Sequence, residues 1–262
     1  MKHLLLLLVP SLVFAYAPLT PKGRAITTFG FSQFDSTQFY DKEGDKLKSY
    51  NSFQRNLFSL EIEAGVTECD TLSFYLPVME VLDHLNGNEY DLGDGAVSWR
   101  RGWLFWDDAI FSSEIALIFP FREQYLPDLR YGRYGLEGKL LYARSFFAKG
   151  YKTTFDGEIG CLWYAGFPSD QVRGRLSAWV DLSAYFQILA ETHLDWGFFN
   201  GKEPLNPSFF FWNANYRVWS GRVALNLFFT ERFMVSAGYM HHFWGQNIAV
   251  GGQWEVKGSY CF

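Results

Sequence analysis

What this chain lacks narrows its class before any motif is considered. Beyond its first residues there is no run of about eighteen apolar residues, so no transmembrane helix can be drawn. Helical periodicity is nowhere better than alternation, so an all-β chain is expected. Cysteine is scarce: Cys69, Cys161 and Cys261 are odd in number and widely spaced, which argues against a disulfide framework or a zinc cluster, although one pair could bridge. Basic residues are in deficit, with 23 Lys and Arg against 28 Asp and Glu, so a nucleic-acid partner is not expected. Neither a Gly-x-Ser-x-Gly elbow nor a His-x-Ser signature of lipid-cleaving barrels occurs, and no enzyme, cofactor or metal site is expected.

Aromatic residues, by contrast, are abundant, with 27 Phe, 15 Tyr and 10 Trp making 20% of the chain. An ordinary core does not need so many, whereas girdles at two membrane interfaces would use them. Hydrophobic residues are 48% of the chain, yet its mean hydropathy is only −0.09, because apolar and polar residues are interleaved.

The chain opens with Lys2, an apolar stretch Leu4 to Leu8 and Leu12 to Phe14, then small Ala15 and Ala17. This is the layout of a secretory signal peptide over residues 1–15, cleaved after Ala15, with Ala17 as the alternative. Residues 16–262 would then form one domain.

The last sixteen residues carry the clearest alternation. Ile248, Val250, Gly252, Trp254, Val256, Gly258, Tyr260 and Phe262 form one apolar face, while Gln253, Glu255 and Lys257 lie on the other. The terminal Phe262, with Tyr260 two residues before it, resembles the closing strand of a bacterial outer-membrane β-barrel. That resemblance implies that Trp254, Val256, Tyr260 and Phe262 form the signal read by the barrel-assembly machinery. Alternation recurs upstream, in Phe58, Leu60, Ile62 and Ala64, in Leu72 to Val78, in Ile115 to Phe119 and in Leu176 to Phe186. Near Ser220-Gly221 it changes phase, which reads as a β-bulge or as a hairpin that adds a strand.

About twelve strands result, joined by connections that alternate between short and long. An even strand count with short periplasmic turns and longer extracellular loops predicts a single antiparallel up-and-down transmembrane β-barrel in the bacterial outer membrane, monomeric, with lipid as its surroundings.

If the apolar parity faces lipid, the other parity faces the lumen. That set includes Glu61, Glu63, Glu114, Arg175, Asp181, Glu191, His193, Asp195, Arg217, Arg222, Glu255 and Lys257, with Glu137, Lys139, Asp156, Glu158 and Arg232 beside them. Mixed charges suit either a selective constriction or a ladder that stiffens the wall. Glu191, His193 and Asp195 share one face about 7 Å apart. They could serve acid–base chemistry or weak metal binding, but read more simply as a buffered polar wall.

Several short stretches are similar to FadL-like outer-membrane transporters, a family that includes proteins named for the meta-pathway of phenol degradation. They are Glu63-Ala64-Gly65-Val66-Thr67 followed by Asp70-Thr71-Leu72-Ser73 and Leu76-Pro77, then Leu92-Gly93-Asp94, Leu117-Ile118-Phe119-Pro120 and Phe243-Trp244-Gly245-Gln246-Asn247. The amino-terminal hatch of true fatty-acid transporters is absent. The resemblance implies a channel or passive transporter for small solutes, hydrophobic or amphipathic ones among them. A closed structural or adhesive barrel is the alternative, followed by a barrel enzyme acting on outer-leaflet lipid with the face that carries His193.

Overall fold

The computed structural model describes residues 19–83, 87–121, 132–166, 168–201 and 212–262, so the expected signal peptide lies outside the described residues. None of the described residues is helical, and all long segments are extended. The strands are β1 (Ala25–Tyr40), β2 (Lys46–Gly65), β3 (Asp70–Asp83), β4 (Gly87–Leu92), β5 (Gly95–Phe105), β6 (Ala109–Phe119), β7 (Gly135–Ala148), β8 (Tyr151–Tyr164), β9 (Gln171–Asp181), β10 (Phe186–Gly197), β11 (Trp212–Phe228) and β12 (Phe233–Cys261).

Three of these, β4, β5 and β12, do not each make one wall strand. β4 and β5 act in series as one: β4 covers the outer half of β3, with Val78 opposite Leu92, and β5 covers the inner half, with Tyr75 opposite Ala96. Between them the Gly93 N–H still donates to the Pro77 carbonyl at 3.0 Å, so the ladder is bent rather than broken. β12 spans 29 residues and is two wall strands, because it folds back at Asn247, whose φ is +52°. Its two arms touch: the Tyr239 and Trp254 rings are 4.6 Å apart, and the Cys261 N–H donates to the Arg232 carbonyl at 2.8 Å. The first arm pairs with β11 and the second with β1, from Ile26 opposite Cys261 to Tyr40 opposite Ile248. Twelve antiparallel wall strands therefore close on themselves among the described residues. Closure leaves no open edge, which is what hydrocarbon requires of a spanning sheet.

The turns at one rim are short, over residues 66–69, 106–108, 149–150, 182–185 and 229–232, while the other rim carries the connections 120–134 and 198–211. Ala25 and Phe262 meet at the short-turn rim, where the Phe262 N–H donates to the Ala25 carbonyl at 2.8 Å. By loop length this rim is periplasmic. The alternating run Leu176 to Phe186 crosses that rim: β9 ends at Asp181 and β10 begins at Phe186, with the Leu182 N–H returning to the Phe186 carbonyl.

The outer surface is apolar to a degree no aqueous surface tolerates. Leu176 is 66% exposed, Ile159 59% and Val223 58%. Aromatic rings crowd both ends of this belt: Trp103, Phe105, Trp106, Tyr185 and Phe229 at the periplasmic rim, and Tyr134, Trp163, Trp196 and Trp219 toward the other. Trp254, Val256, Tyr260 and Phe262 all point outward into it.

Candidate functional site

The same alternation that turns Leu176 and Val223 to lipid turns a ring of charge inward at the middle of the barrel. On β9 and β10 the inward positions are Arg173, Arg175, Glu191, His193 and Asp195; on β11 and β12 they are Arg222, Glu255 and Lys257. Strands β2, β5, β6, β7 and β8 contribute Glu61, Glu63, Arg100, Glu114, Glu137, Lys139, Asp156 and Glu158.

These groups pair into two continuous chains. In one, Arg100 reaches Glu114 at 2.8 Å and Glu63 at 3.7 Å, Lys139 links Glu114 to Glu137, and Arg173 links Glu137 to Asp195. In the other, Arg175 holds Asp156 at 2.9 Å, Glu158 at 3.2 Å and Glu191 at 3.3 Å; Arg222 then joins Glu191 to Glu255, and Lys257 reaches Glu255 at 3.4 Å. The Glu191 side chain is only 2% exposed and that of Arg175 8%. Charges this deep are tolerated only because each has several partners. Between the chains lies a cavity of about 330 Å³ lined from β2 round to β12. Glu61 lines it too; among the described residues it makes no contact ion pair or hydrogen bond, although Lys257 and Arg100 attract it from farther off.

Most of the lumen set expected from alternation is thus brought together here: Glu61, Glu63, Glu114, Arg175, Glu191, His193, Asp195, Arg222, Glu255 and Lys257 all face the interior. Asp181 also has the inward parity but sits at the periplasmic end of β9, where it accepts from the Gln187 amide at 2.6 Å, away from the ring. Arg217 is on the outer face. Its guanidinium stacks over the Trp196 and Phe199 rings at 4.2 and 4.3 Å and donates to the Gly197 carbonyl and the Gln246 side chain. Its strand keeps one phase throughout, so Arg217 shares the parity of exposed Trp219 and Val223. Arg232 lies exposed in the turn before β12.

Arg100 and Arg173 were not among the expected lumen residues. Adjacent Arg100 and Arg101 blur the alternation of β5, but Arg101 leaves toward Asp70 at the rim while Arg100 goes inward. Arg173 was legible by its spacing of two from Arg175.

The Glu191, His193 and Asp195 trio does not work as a unit. Arg175 and Arg222 occupy Glu191, Arg173 occupies Asp195, and the His193 Nε2 stays 3.8 Å from Glu191. No group of three such side chains among the described residues could hold a metal, and all three cysteines are free thiols.

The two ends of the lumen differ in chemistry. Toward the extracellular rim Tyr40, Tyr216, Val218, Ile248 and Val250 form a buried apolar collar. The phase change expected at Ser220-Gly221 is therefore no hairpin. β11 runs straight through, and the bulge is on its partner, where Trp219 faces Trp244 and Ser220 faces His242. Tyr216 and Val218 look lipid-facing by polarity, yet line an apolar interior. Ile248 and Val250 depart from the outward face of the last strand for the same reason. Toward the periplasm Thr20, ahead of β1, is buried inside the wall. The Thr20 N–H donates to Thr71 Oγ1 at 2.9 Å and its hydroxyl to Glu63 at 3.2 Å. Gly65 permits this, since a Cβ there would collide with the Pro21 carbonyl oxygen.

No protein-family model and no curated protein matches this chain in sequence. Solved structures match its fold. An outer-membrane channel from Pseudomonas putida F1 superposes with a TM-score of 0.76 at 15% identity, covering 95% of this chain and 99% of that one. The NanC porin matches with a TM-score of 0.51 at 11% identity, over 90% and 98%. LpxR from Salmonella typhimurium matches with a TM-score of 0.50 at 11% identity, over 89% and 99%. Closed wall, apolar belt, aromatic girdles and these likenesses define the class: a bacterial outer-membrane β-barrel.

Proposed function

We propose that the barrel is a narrow channel whose constriction is the central charged ring, passing small hydrophilic solutes. The observation that carries this is the polar cavity at mid-height. Apolar side chains packed there would serve stability as well as the ion pairs do, since replacing a buried ion pair by well-packed carbon is often neutral or stabilising, so the open polar space favours a passage over a charge ladder. The likeness in fold to an outer-membrane channel and to a porin supports the reading. Kinship with the FadL-like transporters rests on short motifs, and the charged lining favours hydrophilic over hydrophobic cargo. In this reading the protein is a monomer surrounded by lipid, inserted by the barrel-assembly machinery through its terminal strand. His193 faces the cavity, which disfavours chemistry on outer-leaflet lipid.

The test is reconstitution of the full mature chain in a planar bilayer. Discrete conductance steps are expected, together with entry of small sugars into liposomes that carry the protein. A barrel correctly inserted yet silent in both assays would be a closed structural barrel, and the channel reading would fall.

A further inference from the structure

The charges around the lumen do not balance. Among the described residues the central ring holds nine carboxylates, counting Glu61, against six Lys and Arg. Every Lys and Arg of the ring has at least one carboxylate within reach, so the pairs largely cancel. What remains is an excess of negative charge, and Glu61 is where it meets the cavity without a contact ion pair, attracted by Lys257 and Arg100 only from a distance. It sits on β2 between Ser59 and Glu63, lining the same space as Lys257 and Arg100 but within ion-pair distance of neither.

We infer that the channel is selective for small cations and that Glu61 is the residue that sets this preference; the inference rests on the channel reading above. A fixed charge in a narrow, low-dielectric passage is poorly screened, so its field acts on each ion that enters. The paired carboxylates contribute less, because the field of each is offset by its guanidinium or ammonium partner within a few ångströms.

The experiment is a reversal-potential measurement across a planar bilayer with a potassium chloride gradient at neutral pH. The wild-type chain is expected to pass potassium in preference to chloride. In Glu61→Gln the permeability ratio should fall by roughly twofold or more, as expected when a charge held in no contact ion pair is removed from a constriction. Ser73→Lys, on the neighbouring inward position of β3, adds a cation to the same cavity and should lower the ratio while leaving Glu61 in place. Any variant that shows conductance steps is folded and inserted, and either one alone suffices. Wild-type steps with no ionic preference or with chloride preference would overturn the inference and leave the channel reading standing. So would an unchanged ratio in the variants. Wild-type silence would overturn the channel reading itself.

Discussion

The central ring and the extracellular collar are built on the same strands, a few residues apart, and obey different rules. In the ring, inward positions are charged and outward ones apolar, so polarity reports the face. In the collar, Tyr216, Val218, Ile248 and Val250 are apolar and yet turned away from lipid. The ring holds together by ion pairs that need every member; the collar holds by burial, which is non-directional and additive by area. The wall changes its interior from polar to apolar across bulges, at Trp219 and Ser220 and at Ser36 and Gln38, and apolarity alone does not identify the lipid face.

That contrast can be broken at several points. The largest effect is expected in the ring. Arg175→Met leaves Asp156, Glu158 and Glu191 without their shared cation and should cost about 3–5 kcal/mol, read as a shifted urea midpoint for unfolding from lipid vesicles. Ile248→Ala, in the collar, removes a side chain that is 1% exposed and should cost about 2–4 kcal/mol. Charged substitution separates the two apolar environments more sharply. Val256→Arg places a cation in the lipid belt and should cost about 2–4 kcal/mol when measured in bilayers. Because the cost arises from hydrocarbon, it should shrink in short-chain detergent, whereas that of Ile248→Ala should not. The smallest effect is expected at Arg217→Ala, where loss of stacking on Trp196 and Phe199 should cost about 0.5–1 kcal/mol and leave the ionic preference of the channel unchanged. A change in that preference would return Arg217 to the lumen.

Most of the fold was legible because the period of two survives wherever lipid and a polar interior differ in polarity. The terminal strand from Trp254 to Phe262 is the clearest case, and its outward face is occupied as alternation requires. The same rule located Glu191, His193, Asp195, Arg222 and Glu255. It failed where both sides are apolar, as at Tyr216 and Ile248. It failed also where a charge sits in the girdle, as Arg217 does, because a long side chain laid over indole needs no lumen. The run from Leu176 to Phe186 misled for a third reason: a short turn with alternating residues continues the pattern of the strands it joins.

Alone, the chain's alternation, its aromatic abundance and its missing helical runs determined the class of protein and the residue types that would face inward, while the pairing of the first strand with the last was seen only in the structure. These are local consequences of a two-residue repeat meeting hydrocarbon. Only the tertiary structure decided which carboxylate meets which cation, because partners such as Glu137 and Arg173 lie on strands that only the closed wall brings into register. It also decided that Glu61 is left over, a property of the whole ring that no single strand contains.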